Sequence, residues 1–70
     1  MKKVAFGQNL KYFREQSGFT QSDLAKKVGL SQIFISQLEH EHKHCNLPTA
    51  ARIADVLNVS LDELVWSNGA

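Results

Sequence analysis

Seventy residues make one domain of a size at which a single core is marginal, and a chain this short often gains stability from a partner. An ordinary apolar share argues against disorder, no apolar run exceeds three residues and so none spans a bilayer, and the single cysteine, Cys45, excludes an internal disulfide. A net charge of +1 excludes a strongly basic binder, so any affinity for nucleic acid must come from where the charges sit.

Lys2 and Lys3 are followed by no hydrophobic segment and form no signal peptide, and a reducing cytoplasm is the simplest compartment for one thiol. The first helix is expected over about residues 4–17, with Phe6, Leu10 and Phe13 on one face and Gly18 ending it. Thr20 caps a second helix, Gln21 to Val28, with Asp23 three residues on to close a capping box. Gly29 falls where the chain leaves that helix and needs a positive φ. Ser31 caps a third helix over about residues 32–40, whose buried stripe is Ile35 and Leu38.

A short polar segment leads to Asn46, the N-cap of a fourth helix that carries Pro48 in its first turn and runs to Leu57. Asn58 suits the left-handed conformation after it. Ser60 and Glu63 form a second capping box for a fifth helix over about residues 61–66, and the tail, 67–70, is expected to fray. The resulting core is Phe6, Leu10, Phe13, Phe19, Leu24, Val28, Leu30, Ile35, Leu38, Leu47, Ile53, Leu57, Val59, Leu61 and Leu64. The fold class is therefore all-α, one domain of five short helices over residues 1–70, with no repeat or linker.

The second and third helices together read as a helix-turn-helix. Ala25 supplies the small residue at a steep crossing, Gly29 the turn, and Leu24, Val28 and Leu30 the apolar positions. These constraints are independent, which separates the motif from an ordinary helical hairpin. From Phe6 to Val65 the chain resembles the lambda-repressor/Cro-type (XRE-like) helix-turn-helix family. The matching residues include Phe6-Gly7, Phe13-Arg14, Gly18-Phe19-Thr20-Gln21, Asp23-Leu24-Ala25, Val28-Gly29-Leu30-Ser31, Ile35-Ser36-Gln37-Leu38-Glu39 and Leu57-Asn58-Val59-Ser60-Leu61. The resemblance implies a five-helix lambda-repressor-like fold and sequence-specific operator binding as a dimer.

On that reading, with Ile35 and Leu38 turned inward, Gln32, Ile33, Ser36 and Gln37 face outward. A glutamine can bond adenine through two atoms and an apolar side chain can meet a thymine methyl, so Gln32, Ile33 and Gln37 are the candidates for base contacts. The bland alternative is that they are ordinary surface residues. Backbone phosphates fall to Thr20, Gln21, Ser31, Ser36, Lys43 and Arg14; Gln21 matches the family's phosphate-contacting glutamine, and Lys11 is a weaker candidate. Lys26 and Lys27 read as a solvated face, and Phe34 as packing on the domain surface. Arg14 and Glu39 match a family ion pair. Leu64, Val65 and Trp66 are the candidate dimer interface, with Trp66 able to close the core instead.

Charge placement permits this reading. Lys2, Lys3, Lys11, Arg14, Lys26, Lys27 and Lys43 precede the fourth helix, while Asp55, Asp62 and Glu63 come late. The sequence departs from the family pattern at Glu41, where a glycine is usual, and at Cys45, where proline is common. The exit from the recognition helix is therefore expected to differ, with an extra turn as one outcome.

His40, His42, His44 and Cys45 share that exit segment, but alternate histidines in one short loop rarely converge on a tetrahedron, so no metal or other cofactor is expected. Histidines beside a DNA backbone would instead add positive charge on acidification. Nothing resembles a phosphate loop, an activated nucleophile or paired catalytic carboxylates, so no enzyme is expected. The expected partners are a double-stranded DNA operator and a second copy of the chain, with no membrane. A protein partner replaces DNA in the rival, antitoxin-like reading, which the low net charge favours.

Overall fold

Side-chain caps set the register of this chain. Thr20, Ser31, Asn46 and Ser60 each accept a hydrogen bond from the backbone N–H three residues on, which satisfies a donor that the first helical turn leaves unpaired. The computed structural model describes residues 3–67 and comprises α1 (Phe6–Gln16), α2 (Gln21–Val28), α3 (Gln32–Glu39), α4 (Leu47–Leu57) and α5 (Leu61–Val65). Both anticipated capping boxes form, Thr20 with Asp23 and Ser60 with Glu63. Asn58 takes the left-handed conformation after α4 (φ 59°).

Only α1 starts without a side-chain cap, and it starts two residues later than the sequence pattern suggests. The reason is an antiparallel bridge between Val4 and Trp66. The Ala5 N–H donates to the Val65 carbonyl and the Ser67 N–H to the Lys3 carbonyl, each at 2.8 Å. Asn9, buried on α1, ties the same crossing by donating from Nδ2 to the carbonyls of Glu63, Leu64 and Trp66. Ser67 is thus held rather than frayed; the rest of the expected tail, 68–70, lies outside the described residues.

The core is assembled from all five helices: Leu10 of α1, Leu24, Ala25 and Val28 of α2, Ile35 and Leu38 of α3, Ile53, Ala54 and Leu57 of α4, and Leu64 of α5. Phe6, Phe13, Phe19, Leu30 and Val59 close its border, half-buried. Leu47 does not join it. At the first position of α4 its side chain points away from the packed face and is 67 % exposed. No helix among the described residues is long and apolar enough to cross a membrane.

The exit from α3 also differs from expectation. The helix stops at Glu39 instead of gaining a turn, because Glu41 itself adopts the left-handed conformation at φ 60°. Its N–H donates to the Leu38 carbonyl and the His42 N–H to the Gln37 carbonyl, the bonding pattern of a Schellman end. Gly7 of α1 lies against this end. A Cβ there would sit 2.6 Å from the Leu38 carbonyl oxygen and 2.7 Å from that of Glu39, so α1 and α3 approach at a distance only glycine permits.

Candidate nucleic-acid interface

The steep crossing of α2 and α3 follows from the turn between them. Gly29 at φ 73° lets its own N–H, and the Leu30 N–H at 2.9 Å, close on the Ala25 carbonyl. The Val28 carbonyl beside it is taken by Arg52 Nη1 of α4 at 2.9 Å, a tie between distant helices that spacing along the chain does not reveal. Ala25, Val28, Ile35 and Leu38 fill the angle between the helices, which leaves the opposite side of α3 to solvent.

That outer side carries Gln32 and Ile33, both exposed, and Ser36 and Gln37, both half-buried. Ile33 is 67 % exposed, a large apolar side chain with no place in the core. Gln32 is held by its neighbour: its Nε2 donates to Gln21 Oε1 at 2.7 Å. Gln21 Nε2 in turn donates to Glu39 Oε1 at 3.0 Å. Glu39 also receives Arg14 Nε at 2.5 Å and Nη2 at 3.2 Å. One chain of hydrogen bonds therefore runs from buried α1 to the solvent edge of α3. Gln32 still presents Oε1 and a second N–H, the two groups an adenine edge needs.

The same chain removes Arg14 from the phosphate set. Its third direction is taken as well, by Nη1 donating to the Phe19 carbonyl at 2.8 Å, and the side chain is nine-tenths buried. Bonding to Glu39 raises its pKa further, so the guanidinium is a fixed cation that neutralises a buried carboxylate rather than a free hand for DNA. Gln21, half-buried, keeps one amide N–H for a phosphate. Thr20 and Ser31 sit exposed at the N-termini of α2 and α3, beside amides that favour anions. Lys43 is exposed in the exit loop, and its N–H reaches back to the Gln37 carbonyl at 3.4 Å. Lys26 and Lys27 are exposed, and Lys27 leans over the Phe19 ring, 5.1 Å from its centroid. Phe34 packs partly against the core.

The candidate dimer interface needs a correction. Leu64 is fully buried in the subunit's own core and cannot meet a partner, whereas Val65 and Trp66 are half-buried. Val65 lines an apolar groove of about 270 Å³ with Phe6, Cys45, Ala50 and the exposed Leu47. Burial there pushes the Cys45 thiol up, away from the reactive thiolate. No cluster of three metal-ligating side chains occurs among the described residues.

Comparison with known proteins agrees with this geometry. A family model described as helix-turn-helix matches residues 10–64. The chain is 39 % identical over 67 residues to the uncharacterized HTH-type transcriptional regulator YazB of Bacillus subtilis (strain 168), covering 91 % of this chain and 93 % of that protein. It is 40 % identical over 52 residues to the antitoxin HipB of Escherichia coli (strain K12), covering 74 % of this chain and 59 % of HipB, so it spans little more than half of that relative. Among solved structures, the P22 c2 repressor in complex with a synthetic operator superposes with a TM-score of 0.81 at 27 % identity, covering 89 % of this chain and 94 % of that one.

Proposed function

The chain belongs to the helix-turn-helix family of lambda-repressor/Cro (XRE) type and is a DNA-binding domain of the transcriptional-regulator kind; on that premise we propose that it binds an operator sequence as a homodimer, with α3 in the major groove. The observation that carries this reading is the outer edge of α3. Gln32 is exposed yet oriented by Gln21 through bonds that lead into the core, and Ile33 stands exposed beside it, which together suit reading bases. Gln37 completes the reading set. Gln21, Thr20, Ser31, Ser36 and Lys43 surround that edge and suit phosphates on either side of the groove.

A single α3 without formal charge on its reading face binds weakly, so two copies are part of the proposal. Two-fold related recognition helices would enter successive major grooves about 34 Å apart. The apolar surface for the subunit contact is Val65 and Trp66 together with Leu47, which replaces Leu64 in this role. Occupying an operator in a cytoplasmic setting makes repression the simplest output, and binding without catalysis is the whole of the activity.

Selection of bound duplexes from a random pool, followed by affinity measurements on the recovered sequence, tests the proposal. Gln32→Ala and Gln37→Ala should each weaken binding about tenfold and relax preference at one base pair, while affinity falls steeply with salt. Unchanged affinity and base preference in both variants would overturn it. The likeness to HipB favours a second reading, in which the main contact is another protein. A stoichiometric protein partner, recovered together with indifference to every duplex at low salt, would support that alternative.

A further inference from the structure

Resting on the DNA-binding reading above, we propose that the exit of α3 holds an acid-dependent phosphate contact, the His40–His42 pair. Ser36 and Gln37 lie one turn before His40, so His40 continues the face of α3 that presents Ile33 and Gln37. A duplex lying against that face brings a strand of its backbone past this end of the helix. Both histidines are exposed, and their rings lie 5.9 Å apart with a 32° tilt. Two rings at that spacing can meet one stretch of backbone together.

The chemistry of the His40 ring makes the contact conditional. Its Nδ1 lies 2.8 Å from the Ser36 carbonyl oxygen, which can only accept, so Nδ1 carries the proton there. Nε2 is then a lone-pair acceptor in the neutral ring and repels a phosphate oxygen. On protonation the same atom becomes an N–H donor and the ring a cation. His42 is fixed beside it because its N–H closes the Schellman end on the Gln37 carbonyl at 2.9 Å.

The surrounding charges leave this switch uncompensated. Glu39 is occupied by Arg14 and Gln21. On α1 the remaining charges are Lys11 and Glu15, both exposed. On α2 Asp23 is engaged by Thr20, Lys26 is exposed, and Lys27 lies over the Phe19 ring. Within the loop, Glu41 and Lys43 carry opposite formal charges, so the phosphate contact of Lys43 does not depend on acid and the pH response falls to the two histidines. His44 lies apart from the pair, lining the apolar groove with Phe6, Leu47 and Val65.

The test is titration of the wild-type chain with a duplex recovered by selection, at about pH 6 and about pH 8 and fixed salt. Wild type should bind about tenfold more tightly at the lower pH, with a salt slope steeper by about 0.9 for each histidine that displaces a counterion. The double variant His40→Gln, His42→Gln should lose both effects. Calorimetry in two buffers of different ionisation heat should show proton uptake on binding for wild type and none for the double variant. Equal affinity at both pH values, or a pH response that survives in the double variant, overturns the inference and leaves the DNA reading intact. Failure to bind any duplex at either pH overturns both.

Discussion

The two helices of the recognition motif both end on a left-handed residue, but one end is built on glycine and the other on glutamate. Gly29 takes φ 73° after α2 with nothing within 4 Å of where a Cβ would be, whereas Glu41 takes φ 60° after α3 with its stem folded over Gly7. The left-handed conformation costs a residue with a Cβ about 1–2 kcal/mol and a glycine nothing comparable. What each exit shares is a set of carbonyls that must be closed. The backbone bonds therefore choose the conformation, and the side chain either suits it or is carried along. The α3 end accepts its cost because Glu39 is anchored to Arg14 one residue before the cap and α1 abuts it through Gly7.

Breaking that anchor should give the largest effect. Arg14→Leu leaves the Glu39 carboxylate, only 2 % exposed, with Gln21 as its remaining partner. Removing one member of a buried pair strands the other, so a loss of about 3 kcal/mol in urea denaturation is expected. The damage should be local as well. Amide exchange at Glu41 and His42 should accelerate more than at Gly29 and Leu30, and equal acceleration at the two exits would show that Arg14 stabilises the whole domain and not the α3 end.

A reciprocal pair of substitutions sharpens the contrast at lower amplitude. Gly29→Ala should destabilise by about 1 kcal/mol, the strain of a positive φ less the entropy that alanine removes from the unfolded chain. Glu41→Gly should do the opposite, raising stability by about 0.5–1 kcal/mol on the same reasoning. For a domain of this size each kilocalorie moves the melting midpoint by about 4–8 °C, so opposite shifts are within reach of a thermal melt. Shifts of the same sign would mean that the stem of Glu41 over Gly7 contributes packing that outweighs its backbone strain.

These differences also explain what could be read from the chain alone. Local rules placed the starts of four of the five helices because each is a single residue acting on its own first turn, as Thr20, Ser31, Asn46 and Ser60 do. The α2 exit was equally legible, since glycine at that offset has one common use. At Glu41 the sequence names a residue that disfavours a left-handed end, and the bonds that close the end do so with α1 packed against it through Gly7, more than thirty residues earlier. The α1 start shifted for the same reason: the Val4–Trp66 bridge joins the two ends of the described chain.

At the candidate site, helical spacing identified the outer face of α3 but not how it is held. The Gln21–Gln32 bond spans two helices, and Arg52 reaches Val28 from a third. Arg14 was expected both in the family's ion pair with Glu39 and on a phosphate, and burial with bonds to Glu39 and Phe19 leaves only the first. Leu64 was expected both in the core and at the dimer interface, and burial keeps only the first; Leu47 was expected in the core, but at the first position of α4 it lies outside the packed face.

The smallest expected effect concerns the starts of the same two helices. At α2 the Thr20 backbone N–H donates to Asp23 at 2.9 Å, and the Thr20 bonds, backbone first, hold the Asp23 carboxyl below its ordinary range. A depressed folded-state pKa contributes stability that is complete above the ordinary aspartate range and is lost as pH falls through the folded value. At α3 Ser31 caps without an acid in the first turn, so its start carries no such dependence. Asp23→Asn keeps an oxygen acceptor and removes only the charge. Its melting midpoint should lie below wild type at neutral pH and converge with it in acid below the aspartate range. A gap that persists unchanged into strong acid would assign the capping box to hydrogen bonding alone and leave the two helix starts electrostatically alike.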